Sequence, residues 1–306
     1  MDYLEQVITT LFNGLSLSSI YLLVALGLSI TFGLMGVINM AHGEFVMIGA
    51  YMTYVTQEIF VNYLPEQIGS LYYFAAIILA FAVTFALGCI MEKFLISRLY
   101  GRKIDSLLVT WGISLILQQA ARSIFGSQGV NVNAPEFLQG GLEIGGCTFS
   151  YNRIFIILLV VCCIALVWFV MNKSGFGVKM RATMQNRPMA QCMGINSKKV
   201  DLITFGLGSG LAGIAGCAIA LLGSIDSTVG QNYIVYSFMT VVLGGVGNIL
   251  GTVLGSGIIG FSSVCVESYF SSSIARAIVL IIIIIFLQFR PQGLFTIRSR
   301  SLDESE

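Results

Sequence analysis

The chain has 306 residues, 56% of them apolar and only 10% charged, with a mean hydropathy of +0.88. A soluble domain carries roughly 25% charged residues, so this composition places the chain in a bilayer. The net charge of +1 gives no field for nucleic acid, and the seven cysteines lack the spacing of a disulfide framework or zinc site.

The N-terminal stretch MDYLEQVITTLFNGLSL has no basic start of the signal-peptide kind and is expected to belong to the mature protein. Apolar stretches follow at roughly 7–35, 44–57, 73–91, 106–125, 154–171, 202–222, 235–247, 249–264 and 275–290. The long ones approach the ~20 residues a helix needs to cross ~30 Å of hydrocarbon. The short ones, 44–57, 235–247 and 249–264, predict broken or re-entrant pieces. The expected fold is all-α, a polytopic membrane bundle of about eight or nine spans forming one transmembrane domain over 1–306. Pro65, Pro135, Pro188 and Pro291 all lie outside the apolar stretches, so interruptions fall to the 34 glycines.

The bases set an orientation. Lys93, Arg98, Arg102 and Lys103 mark one inside loop, the stretch 172–201 marks a second, and Arg290, Arg298 and Arg300 mark an inside C-terminus. The segments 57–72, 126–153, 223–234 and 265–274 hold several acids (Glu58, Glu66, Glu136, Glu143, Asp226, Glu267). Only Arg122, Arg153 and Arg276 fall near that face. Nine crossings then give an outside N-terminus and an inside C-terminus; eight would require one re-entrant segment.

Between the first two apolar runs lies Asn39-Met-Ala-His42-Gly-Glu44, which holds the only histidine. Ionisable groups at such depth are costly, so they line a pathway, or else they cap the next helix and satisfy backbone groups freed by the break. Gln118 and Gln119 add amides to a later helix, and Gln231-Asn232-Tyr233 does the same near the outer face. Such groups suit a small hydrogen-bonding solute, or equally a helix–helix contact. Gly36-Val-Ile-Asn39 and Gly245-Val-Gly-Asn248 hint at an internal repeat, whose paired interruptions would mark the transport path.

The stretch 172–201 carries Lys173, Lys179, Arg181, Arg187, Lys198 and Lys199 against one acid, Asp201. Its centre, Met184 to Gly194, predicts a short helix with Pro188 near its first turn. Met189, Ala190, Met193 and Met180 would present a soft apolar knob to a soluble partner; the plain alternative is a solvated loop. No Gly-Lys dipeptide occurs, so a Walker A loop is excluded, and neither H-E-x-x-H nor G-x-S-x-G is present. The expectation is a non-enzyme without a cofactor of its own, driven by another chain.

The stretches 14–51 (with NMAHGEF), 99–126, 183–195, 230–252 (with GGVGN) and FRPQGLF at 289–295 carry a resemblance that runs from end to end. The chain resembles the branched-chain amino-acid permease family of ABC importers, and within it the urea-type permease. That resemblance implies a half-transporter in a bacterial inner membrane. Its expected partners are a homologous second permease, two cytoplasmic ATPase subunits holding ATP and Mg²⁺, and a periplasmic solute-binding protein. The family's coupling pattern, E-A-A-x-x-x-G, falls on Pro188-Met-Ala190-x-x-x-Gly194, with Pro188 and Met189 replacing its first two residues. Arg181, Pro188, Met189, Ala190, Met193 and Gly194 are thereby expected to couple to the ATPase. Asn39, His42, Glu44, Gln118, Gln119 and Asn248 are expected on the pathway. Urea is the expected solute, with short amides or branched-chain amino acids as alternatives. A stand-alone channel or secondary carrier would explain the polar breaks but leave the long basic stretch without a purpose.

Overall fold

A computed structural model describes residues 2–63, 65, 71–144 and 147–295. Its long helices are α1 (Asp2–Met35), α2 (His42–Tyr63), α3 (Tyr72–Phe94), α4 (Lys103–Phe125) and α5 (Tyr151–Lys173). Two short helices follow, α6 (Gly175–Gln185) and α7 (Arg187–Cys192), and then α8 (Ser197–Ala220), α9 (Val229–Gly244), α10 (Ile249–Glu267) and α11 (Ser272–Phe289). Each predicted apolar stretch falls on one of the long helices. Among the described residues, seven helices are long and apolar enough to cross a membrane, and α2 and α9 are outside that set. Helix α9 has only 16 residues, and α2, with 12 of its 22 residues buried in the bundle, can be less apolar than a lipid-facing span.

The exception to the all-helical expectation is a small hairpin between α4 and α5. There β1 (Gly141–Ile144) pairs antiparallel with β2 (Cys147–Ser150), and Leu142 lies opposite Phe149. Its strands have four residues each, too few to give a firm period-2 signal in this Gly-rich connection.

Helix α8 is the hub, packed against α1, α2 and α3. Its most apolar window is 78% buried and that of α1 83%, against 17% for α11, which separates central from lipid-facing spans. Small residues permit this packing. A Cβ on Gly49 of α2 would land on the Gly213 carbonyl of α8, so the two backbones touch directly. Leu23 and Leu26 of α1, Phe45 and Met47 of α2, and Phe205 and Ala215 of α8 fill the core between them.

Contacts sort the loops into two ends. At one end, Thr9 Oγ1 lies 3.6 Å from Cys147 Sγ, Arg153 bonds Asn13, Gln57 accepts from the Asn133 amide, and Val130 pairs with Ile225. At the other, Gly33 meets Gly247, Gly245 meets the Phe295 backbone, and Arg187 meets Tyr100. Lys93, Arg98, Arg102, Arg290 and the bases of 173–199 collect at this second end, as the charge pattern predicted. Glu66, Arg298 and Arg300 lie outside the described residues.

Candidate functional site

The first candidate region is the break between α1 and α2. Helix α1 runs on to Met35 and Gly36 turns the chain at φ +66°. The chain then climbs back until His42 Nε2 donates to the Val24 carbonyl at 3.1 Å. Val24 is eleven residues behind Met35, which is ~16 Å along a helix. Helix α2 therefore starts in the bundle interior. Helix α9 starts there too: Gly43 and Gly230, each in the first turn of its helix, meet so closely that a Cβ on Gly230 would land on the Gly43 carbonyl. Two helix N-termini cross at this point, and their positive dipole ends favour an anionic or acceptor group.

The predicted polar residues meet here in part. Asn39, His42, Glu44 and Gln118 are all buried. Asn39 Oδ1 accepts from the Ala41 amide at 3.0 Å. Glu44 Oε1 accepts from Ser114 Oγ at 2.7 Å and Gln118 Nε2 at 2.8 Å, fastening α2 to α4. Met40 donates its amide to Thr110 Oγ1 on the same helix at 3.1 Å. Three atoms, Asn39 Nδ2, His42 Nδ1 and Glu44 Oε2, have no hydrogen-bond partner among the described residues. Buried polar atoms left without a partner are costly and uncommon in folded proteins.

Two predicted members are elsewhere. Gln119 is exposed, because one residue along a helix turns it ~100° away from Gln118. Asn248 caps α10 at the basic end, its Oδ1 accepting from the Gly251 amide at 3.2 Å. It does parallel Asn39 in one respect. Each follows a positive-φ glycine by three residues, Gly36 or Gly245, and takes a backbone amide at the start of the next helix.

The second region is the basic stretch, which is two helices rather than one loop. Helix α7 begins later than predicted because Asn186, in an extended conformation, caps it by accepting from the Met189 amide at 3.0 Å. Pro188 sits in the first turn, where its missing N–H costs nothing. The helix stops in a Schellman turn: the Ile195 amide reaches the Ala190 carbonyl and the Gly194 amide the Gln191 carbonyl, both at 3.0 Å, with Gly194 at φ +81°.

Met189 and Met193 project outward at 61% and 77% exposure, while Ala190 and Met180 are buried. The expected four-residue knob is thus two methionines on a buried base, because the helix register set by Asn186 turns Ala190 inward. Such polarizable side chains adapt readily to a partner surface. Arg181 faces its own protein, donating to the Met171 carbonyl at the end of α5 and tying α6 to that span.

Arg187, one of the six bases of the stretch, holds α7 in place. It forms an ion pair with Asp201 of α8, lies 4.5 Å from the Tyr100 ring centroid, and Tyr100 in turn donates to Glu92 Oε1 at 3.3 Å. Burial, reinforced by Asp201 and Glu92, pushes the Tyr100 phenol up, so it stays a neutral donor. Gln191 Nε2 adds a 2.6 Å bond to Ser197 Oγ. The sequence signal was present in Asp201, the lone acid of the stretch. A cavity of about 190 Å³ lies beneath this clamp, bordered by Met35, Thr183, Arg187, Asp201 and Thr204.

The arrangement has parallels among known proteins. The family described as "Branched-chain amino acid transport system / permease component" matches residues 10–287. The permease protein BraD of the high-affinity branched-chain amino acid transport system of Pseudomonas aeruginosa is 29% identical over 300 residues, covering 95% of each chain. LivH, its counterpart in Escherichia coli K12, is 27% identical with the same coverage. A probable branched-chain amino acid permease, LivH of Methanocaldococcus jannaschii, is 29% identical over 90% of this chain and 89% of its own. No solved structure matches. With nearly its whole length matched, and with its helices long and apolar enough to cross a bilayer, the chain is a multi-pass membrane protein belonging to the branched-chain amino acid transport permease family.

Proposed function

We propose that this chain is the membrane-spanning permease subunit of an ATP-driven importer of branched-chain amino acids. The observation that carries this is its similarity over 95% of its length to permeases of branched-chain amino acid systems. Those relatives favour the branched-chain amino acids over urea, the solute the sequence motifs first suggested. In this proposal the chain pairs with a homologous permease in an inner membrane and receives solute from a periplasmic binding protein. Two ATPase subunits, which hold ATP and Mg²⁺, engage Met189 and Met193 of α7. The acidic end with the N-terminus faces outward and the basic end faces the cytoplasm.

The mechanism follows from the connections of α7. ATPase closure displaces this helix, and the Arg187–Asp201 pair and the Gln191–Ser197 bond pass the motion to α8. Because α8 lies against α1, α2 and α3, a small rotation there separates the Gly43–Gly230 crossing and opens the interior. Asn39, His42, Glu44 and Gln118 then offer hydrogen-bonding groups along the opened path.

The test is uptake of labelled leucine and labelled urea at micromolar concentration in cells with and without this chain. Leucine uptake that depends on the chain and ignores excess urea is expected. Chain-dependent urea uptake that ignores leucine would overturn the choice of solute, and loss of neither would overturn the importer assignment.

A further inference from the structure

At the acidic end, a cavity of about 370 Å³ lies among α1, the 222–226 segment, α9, the end of α10 at Glu267 and the early part of α11 at Arg276. That volume is in the range of small-molecule sites, roughly 300–1,000 Å³. Its lining includes Val229, the residue before Gly230, so the cavity adjoins the crossing with Gly43.

The lining is of three kinds. One wall is aromatic: Tyr21 stacks on Tyr236 with centroids 4.6 Å apart and meets Tyr233 edge-on at 6.2 Å. Aliphatic surface comes from Leu17 and Leu222. The rim carries Arg276, Glu267 and Asp226. No ion pair joins Arg276 to either acid among the described residues. Asp226 commits Oδ1 to the Thr228 amide and hydroxyl at 2.7 and 2.9 Å.

Opposite charges that share one cavity without neutralising each other suit a ligand with both signs. The aliphatic and aromatic surface between them suits an apolar side chain. A neutral diamide such as urea needs neither feature.

We propose that this cavity is a receiving site for the zwitterion of an aliphatic amino acid, with Arg276 taking its carboxylate, Glu267 and Asp226 its ammonium, and the tyrosines with Leu17 its side chain. The proposal rests on the importer reading and adds a solute site within the permease itself. The solute waits there until the Gly43–Gly230 crossing opens. Arg276 suits this role because a guanidinium binds a carboxylate through two parallel N–H donors.

The experiment uses the complete importer in proteoliposomes, with ATP supplied to the ATPase side and binding protein loaded with labelled leucine. Arg276→Ala and Glu267→Gln are each expected to lower leucine uptake per ATP hydrolysed by about tenfold, the loss of one charge-assisted contact. Arg276→Lys should recover part of it. ATP hydrolysis stimulated by the binding protein should persist in all three and shows that they assemble. A diazirine analogue of leucine, delivered by the binding protein, should label the segment containing Tyr233 and Tyr236 in the unaltered importer and fail to do so in Arg276→Ala. Unchanged uptake in Arg276→Ala and Glu267→Gln, or labelling confined to other segments, overturns the proposal while leaving the importer intact. Absence of leucine uptake by the unaltered importer overturns the solute assignment, and this site with it.

Discussion

Replacing Arg187 with alanine tests how α7 is held to the spans. The guanidinium is about one third exposed, its side chain at 36%, but its partner Asp201 is at 7%. Removing one member of a buried pair costs roughly 3–5 kcal/mol, and the partial exposure of Arg187 brings the expectation down to about 2–3 kcal/mol, including the lost Tyr100 contact. The loss falls on local opening of α7, because its remaining ties are the Ala190 packing and the Gln191–Ser197 bond. At 1.4 kcal/mol per tenfold, amide hydrogen exchange over 187–194 should speed up roughly 30- to 140-fold. Exchange in the buried middle of α8 should barely change. The double variant Arg187→Ala with Asp201→Asn should lose less than the sum of the two single changes, since the orphaned carboxylate is gone. Unaltered exchange over 187–194 in Arg187→Ala, or strictly additive losses, would refute the clamp.

Other perturbations separate surface from interior. Met189→Asp together with Met193→Asp should abolish capture of the ATPase subunits in a detergent pull-down while changing permease stability by less than about 0.5 kcal/mol, as both side chains are exposed. Gly230→Val places a side chain against the Gly43 carbonyl, where backbone cannot yield. It should destabilise by about 1–3 kcal/mol, seen as a lower melting temperature in detergent, and stop uptake. Glu44→Gln keeps an oxygen for Ser114 and Gln118 and should melt close to the unaltered chain, whereas Glu44→Ala leaves those donors unpaired and should cost about 1–3 kcal/mol. Equal melting of the two Glu44 variants would remove the α2–α4 fastening from the account.

What was legible in the chain and what was not divides by the range of the forces involved. Pro188, Gly194 and the apolar runs report on backbone stereochemistry and burial within a few residues, and each appears where local chemistry requires it. The start of α9 at Val229, ahead of the apolar run beginning at 235, escapes such a reading. Its polar first turn, Gly230-Gln231-Asn232, lies where Gly43 of α2 lets the two backbones touch, a contact between distant residues. Glu44 and Gln118 were separately visible, but their bond spans 74 residues and depends on the chain climbing back after Met35.

The Arg187–Asp201 pair is the instructive intermediate case. Six bases and one acid signalled a charge imbalance, while burial decided which base mattered, since Asp201 enters the buried hub and must bring a partner with it. The same physics gives the fold its two functional ends. Exposed methionines on a capped six-residue helix cost the fold little, and under the proposed function they are what the ATPase subunits meet. The Arg187–Asp201 ion pair ties that helix to α8, the span whose glycines let α2 and α3 pack closely against it.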